Sequence, residues 1–208
     1  MAMIEADPAR SARAVFLDKD GTLIHDIPYN VDPSRVALLP RVGPGLRALQ
    51  DAGYLLIVCS NQPGVALQRF PADALAPLET RIDALLEPFG VRITEYCWCT
   101  HHPAVVRVAG PAACTCRKPR PGLLLNAAAK HGIALERSWM IGDILDDVEA
   151  GSRAGCSTIL VDRGHETRWR AGRRRTPRAI VYDFADAASF IIEGPRSVRA
   201  TRPRAASA

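Results

Sequence analysis

The chain has 208 residues, 48% hydrophobic and 24% charged, enough to bury one core and too few for two ordinary domains. No apolar run reaches the ~18 residues of a membrane helix, and residues 1–13 lack the basic and apolar regions of a secretion signal, so a monomeric cytoplasmic protein that does not enter a membrane is expected. The net charge of +5 suggests nucleic acid until it is divided along the chain. From Arg163 onward eleven arginines face four acids, so the basicity belongs to the C-terminal part and reads as a solvated face with a frayed end.

Ala14-Val15-Phe16-Leu17 reads as a buried strand that delivers Asp18 and Asp20 at its C-terminal end. Residues 41–51, with Gly53 beyond them, predict a helix closed by glycine. A strand over 54–59 ends at Ser60-Asn61-Gln62, and the spacing of Leu75, Leu78, Ile82, Leu85 and Leu86 predicts a helix over 72–87. A third strand is placed at 91–96, followed by a loop rich in Cys, His and Pro over 97–121. Helices over 122–131 and 145–154 flank a strand at 139–141. Strands at 157–161 and 179–182 and a short helix at 186–192 complete the chain. This alternation implies an α/β protein, a parallel sheet between two helical layers, in which ligands sit at the carboxyl ends of the strands.

Those ends carry one list of reactive residues: Asp18, Asp20, Ser60, Asn61, Lys118, Asp143 and Asp147. Asp-x-Asp at a strand terminus puts two carboxylates on one face, which suits a nucleophile and a proton carrier. Close carboxylates repel, so a cation is required, and with Asp143 nearby the oxygen-rich site suits Mg²⁺. Asp147, one helical turn after Asp143, is placed to orient Lys118 or a metal-bound water rather than to ligate. The second constellation is Cys99, His101, Cys114 and Cys116, a Cys₃His set suited to tetrahedral, structural Zn²⁺ in a loop too polar to order itself. Cys97 is an alternative to Cys99, while Cys59 and Cys156 read as core thiols.

Asp18-Lys19-Asp20-Gly21-Thr22, Ser60-Asn61, Lys118 and Gly142-Asp143-x-x-x-Asp147 occur in the order of the haloacid dehalogenase (HAD) superfamily of phosphotransferases, which the chain resembles over residues 12–163. The resemblance implies a three-layer Rossmann-like HAD fold with strand order 5-4-1-2-3. It implies that Asp18 attacks phosphorus to form an aspartyl phosphate, and that Asp20 protonates the leaving oxygen and later deprotonates water. It also implies that Ser60 and Lys118 hold the phosphoryl oxygens, with Mg²⁺ on Asp18, the Asp20 carbonyl and Asp143. The Cys99-x-His101…Cys114-x-Cys116 loop and Cys116-Arg117-Lys118-Pro119 narrow the likeness to the branch of the D-glycero-D-manno-heptose 1,7-bisphosphate 7-phosphatases and histidinol-phosphate phosphatases. In that branch the Cys-x-His string favours Cys99 over Cys97. The twelve residues 102–113 between the two halves of the metal set resemble the heptose enzymes more. By position, Asp26 to Tyr29 match a substrate-contacting loop, Asn61 and Gln62 the phosphate loop, and Arg117 a substrate-recognising arginine.

One departure stands out. After Asn61-Gln62 the heptose enzymes continue Ser-Gly-Ile-Ala-Arg-Gly, whereas this chain reads Pro63-Gly64-Val65-Ala66-Leu67-Gln68, with Arg69 two places further on. Short inserts leave room only for a minimal cap and a fairly open site. The expected organisation is an N-terminal extension (1–12), a HAD-like domain (13–193) containing the zinc loop (97–118), and a disordered basic tail (194–208). The expected activity is Mg²⁺-dependent hydrolysis of a small phosphorylated sugar, first the 7-phosphate of the heptose bisphosphate. The alternatives are histidinol phosphate, another small phosphomonoester, or a nucleic-acid end, which only the arginine-rich tail supports.

Overall fold

The computed structural model describes residues 11–104, 114–167, 169–170 and 172–195. Most of the N-terminal extension, most of the 102–113 insert and all but the first two residues of the basic tail lie outside these. Six strands form one parallel sheet: β1 (Arg13–Leu17), β2 (Tyr54–Asn61), β3 (Glu95–Cys99), β4 (Trp139–Gly142), β5 (Ser157–Val161) and β6 (Ala179–Val181). Their order is β3-β2-β1-β4-β5-β6, the expected order with one further strand at the edge. β1 is central, pairing Leu17 with Val58 of β2 on one side and with Ile141 of β4 on the other.

Alternation along β1 builds two cores. Val15 and Leu17 join Leu56, Val58, Ile141, Ile159, Leu46, Leu49, Ile82 and Phe184 on one face. Ala14 and Phe16 join Ile57, Cys59, Met140, Leu124, Ala127 and Ala150 on the other. Strands buried on both faces require continuous apolar runs, as Ala14–Leu17 and Leu55–Cys59 provide. The first core is covered by α1 (Val42–Asp51), α2 (Ala76–Leu86) and α5 (Phe184–Glu193), the second by α3 (Gly122–His131) and α4 (Leu145–Ala154).

Four predicted elements differ by two residues or more: β2 runs on to Asn61 rather than 59, and the helix of 72–87 is a 3₁₀ turn (Ala72–Leu75) followed by α2 from Ala76. The third strand lies at Glu95–Cys99 rather than 91–96, so the metal loop begins inside a strand. Register explains the shift: β3 follows the C-terminal half of β2, pairing Ile57 with Glu95 and Asn61 with Cys99. The last helix is longer than 186–192 because Asp183 caps it, its side chain accepting from the Asp186 N–H at 2.9 Å. Among the described residues, no helix is long and apolar enough to cross a membrane.

Candidate active site

The sheet order reverses between β1 and β4, and such switch points open a crevice beyond the strand ends. Asp18 follows β1 directly, and Asp143 follows β4. Around them lies a cleft of about 370 Å³ lined by Asp18, Asp20, Ser60, Lys118, Asp143 and, at its outer end, Asp26 and Tyr29.

Lys118 holds the interior together. Its ammonium is buried, makes a close contact with an Asp18 carboxylate oxygen, and lies 2.6 Å from Asp147. Asn61 fixes the Lys118 backbone from across the sheet: its side-chain NH₂ donates to the Lys118 carbonyl at 3.1 Å and its oxygen accepts from the Lys118 N–H at 3.0 Å. Gln62 donates to Asp20 at 3.1 Å and to the Ser60 hydroxyl at 2.9 Å, tying the two loop ends to one another. Lys19, itself buried, pairs with the other Asp20 oxygen at 2.7 Å.

Burial dominates the electrostatics. It pushes Asp18 up to about 6 against the pull of Lys118, and pushes Asp147 to about 6 in the same way. Asp143 rises to about 8 through burial and the neighbouring Asp18 charge. Asp20 is also raised, by burial, with Lys19 opposing. Lys118 stays protonated because Asp147 and Asp18 outweigh the cost of burying it. Ligand oxygens of Asp18, Asp143 and Asp147 lie within 4.8 Å of one another. Once all three carboxylates are ionised, the one ammonium leaves two negative charges uncompensated. An oxygen-rich, buried set with that deficit fits a hard divalent cation such as Mg²⁺.

The thiol cluster lies at the other end of Lys118's segment. Cys99 Sγ is 3.6 Å from Cys114 Sγ and 3.6 Å from His101 Nδ1; Cys116 Sγ is 3.0 Å from Cys114 Sγ and 3.4 Å from the same imidazole nitrogen. Zinc bonds of about 2.0–2.3 Å span tetrahedral edges of about 3.5–3.8 Å, which both Cys99 distances match; Cys114 and Cys116 must part by about 0.7 Å for the four donors to share one Zn²⁺. Burial raises Cys99 and Cys116, whereas hydrogen bonds from Cys116 and from backbone N–H groups, working against burial, lower Cys114. Cys97 is not a member. It sits opposite Cys59 across the β2–β3 pair and joins the second core. His102 is half-buried and outside the cluster, its Nδ1 accepting from the Ala104 N–H at 3.2 Å.

Of the expected substrate contacts, Asp26, Tyr29, Asn61 and Gln62 line the cleft, but both ends of the Asn61 amide are taken by Lys118. Arg117 does not line it; its guanidinium turns to the His101 carbonyl at 3.4 Å. Arg69 lies over the Tyr29 ring, 5.7 Å from its centre. His165, in the loop after β5, which the sequence marked with His25 as able to line the mouth of the site, does line the cleft, its Nδ1 2.6 Å from Asp143. No motif marks it, and only its place after a parallel strand offered a signal. In the basic segment Arg175 is anchored to Asp146 at 3.0 Å and Glu149 at 2.7 Å, while Arg173 and Arg174 are exposed.

Comparison with known proteins agrees with this geometry. A family model described as HAD-hydrolase-like matches residues 115–187. The D-glycero-beta-D-manno-heptose-1,7-bisphosphate 7-phosphatase of Mesorhizobium japonicum is 38% identical over 145 residues, 68% of this chain and 65% of that protein. The protein of the same name from Escherichia coli K12 is 33% identical over 172 residues, 82% of this chain and 86% of that one. The crystal structure of the D,D-heptose 1,7-bisphosphate phosphatase of B. bronchiseptica, complexed with magnesium and phosphate, superposes with a TM-score of 0.75 at 26% identity, over 88% of this chain and 99% of that one.

Proposed function

The chain belongs to the D-glycero-beta-D-manno-heptose-1,7-bisphosphate 7-phosphatase family of HAD-like phosphatases, and from that premise we propose that it removes the 7-phosphate of this sugar bisphosphate, the β anomer first. The observation that carries the reading is the buried triad of Asp18, Lys118 and Asp143 at the sheet's switch point, beside a cleft of sugar-phosphate size. Asp18 is the nucleophile. Its carboxylate faces the cleft beside the Lys118 ammonium, which screens it from the phosphoryl oxygens it must approach. Asp20 is the proton carrier: burial raises its pKa, so it can arrive protonated, give the proton to the sugar oxygen and recover one from water. Gln62 and Lys19 fix its two oxygens, and Ser60 is placed to donate to the phosphoryl group.

Mg²⁺, held by Asp18, the Asp20 carbonyl and Asp143, would supply Lewis-acid neutralisation of the phosphate. Asp147 and Asn61 act through Lys118, one on its ammonium and the other on its backbone. Zn²⁺ on Cys99, His101, Cys114 and Cys116 would be structural, since all four positions are filled by protein and the segment it orders carries Lys118. Asp26 and Tyr29 meet the sugar at the outer end, with Arg117 placed beyond the cleft to act only after its guanidinium turns. Six cysteines with no disulfide among the described residues, three of them in the zinc set, support a reducing, cytoplasmic site of action.

The test is phosphate release with Mg²⁺ from both anomers of the heptose bisphosphate and from histidinol phosphate, with Asp18→Asn as the blank. Preferential turnover of one heptose anomer, absent in the variant, is expected. Preferential turnover of histidinol phosphate, or equal slow activity on everything, would contradict the substrate assignment.

A further inference from the structure

We propose that His165 is a positioning residue for the metal-binding carboxylate of Asp143, reaching it from the loop after β5. The inference rests on the phosphatase reading above, because it gives Asp143 its task. Asp143 is buried and its two oxygens have different neighbours. Oδ1 faces the Thr22 hydroxyl at 3.4 Å, a long contact, whereas Oδ2 faces His165 Nδ1 at 2.6 Å, a short charge-assisted hydrogen bond. The His165 contact is therefore what fixes the carboxylate plane about its Cβ–Cγ bond. A carboxylate free to rotate would lose part of its affinity for a hard cation to ordering entropy, and partners of metal ligands are typically worth 10- to 100-fold in metal affinity.

Two further features place the imidazole there. The adjacent Glu166 accepts from the Leu145 N–H at 2.8 Å, so the loop after β5 is tied to the start of α4 two residues beyond Asp143. Gly21 of the first motif supplies the space. A Cβ there would lie 2.1 Å from Asp143 Oδ2 and 2.5 Å from His165 Nδ1, so the carboxylate and imidazole occupy the volume that a side chain would fill. A histidine with a packing role would be buried. This one has 37% of its side chain exposed and lines the cleft beside Asp18, Asp20 and Asp143. The sequences of β1 and β4 thus supply the acids, and a third strand's loop orients one of them.

The experiment measures Mg²⁺ affinity of the full-length, zinc-loaded chain by calorimetry without substrate, and the Mg²⁺ dependence of p-nitrophenyl phosphate turnover. His165→Ala is expected to weaken Mg²⁺ binding by about tenfold, with kcat at saturating Mg²⁺ within about threefold of the parent. His165→Asn, whose amide nitrogen takes the place of Nδ1, is expected to restore the affinity; a role in packing alone would not produce that rescue. Unchanged or tighter Mg²⁺ binding in His165→Ala, or equal loss in the Ala and Asn variants, would overturn the proposal. Asp143→Asn is the control on the underlying reading. If the parent and Asp143→Asn bind Mg²⁺ equally, the metal assignment itself is wrong, a result distinct from failure of the His165 variants.

Discussion

Replacing Lys118 with Met keeps an unbranched stem of similar length in a pocket where the lysine is only 3% exposed, and removes one charge. The ammonium is 2.6 Å from Asp147 and in close contact with Asp18, so both carboxylates lose their cation at once. Removing one partner of a buried ion pair costs about 3–5 kcal/mol. Each kcal/mol lowers the melting temperature of a chain of this size by about 2–4 °C, so a fall on the order of 6–20 °C is expected at pH 8 without added Mg²⁺. The loss depends on pH in a defined direction. Asp18 and Asp147 titrate near 6 even with Lys118 present, and without it they move higher. The folded variant then binds more protons than its unfolded chain above about pH 4, so its stability falls as pH rises. Thermal unfolding of both proteins at pH 5 and pH 8 measures this. An unchanged melting temperature at pH 8, or a deficit as large at pH 5 as at pH 8, would refute the reasoning.

Cys114→Ser removes one of four donors and is expected to lower zinc content and melting temperature together; full zinc stoichiometry by atomic absorption would show that the donor set is wrong. Gly21→Ala puts a Cβ 2.1 Å from Asp143 Oδ2, at a φ of +79° that disfavours any side chain, so Mg²⁺ affinity should drop by about tenfold or more, read by calorimetry. Asp143 near 8 lies above its unfolded value, so the metal-free fold holds extra protons from about pH 4 to pH 8 and its stability declines across that window. Mg²⁺ requires the ionised carboxylate, so its binding should tighten from pH 6 to pH 8 and release protons. Calorimetry in two buffers of different ionisation enthalpy detects the release, and affinity independent of pH would contradict it.

The strands and the cluster of Cys99, His101, Cys114 and Cys116 were legible because their signals are local. Apolar runs such as Ala14–Leu17 end in acids, and Cys-x-His and Cys-x-Cys pairs carry their ligand spacing in the chain. The position of β3 was not legible, since 91–96 and 95–99 have comparable strand character and only pairing with β2 sets the register. Asn61 looked like a substrate contact because it follows a strand end; its use by the Lys118 backbone joins residues 57 apart and leaves no trace in either segment. Cys97 and Cys99 were indistinguishable by spacing. In the fold one sits beside Cys59 within the sheet, while the other, at the strand's end, reaches the cluster. His165 was legible only as a residue able to line the mouth of the site; its contact was not, because its partner, Asp143, lies on another strand's loop.

The central claim is that Asp18 carries the phosphoryl group and Asp20 releases it. An Asp20→Asn variant, mixed with Mg²⁺ and p-nitrophenyl phosphate, whose leaving group departs without the proton that Asp20 gives, then quenched in acid, digested and analysed by mass spectrometry, tests this most directly. The account predicts one phosphoryl group on the peptide containing Asp18, because water lacks its base and the covalent species accumulates. No phosphorylated peptide while phosphate is still released, or phosphate on a peptide lacking Asp18, would contradict it.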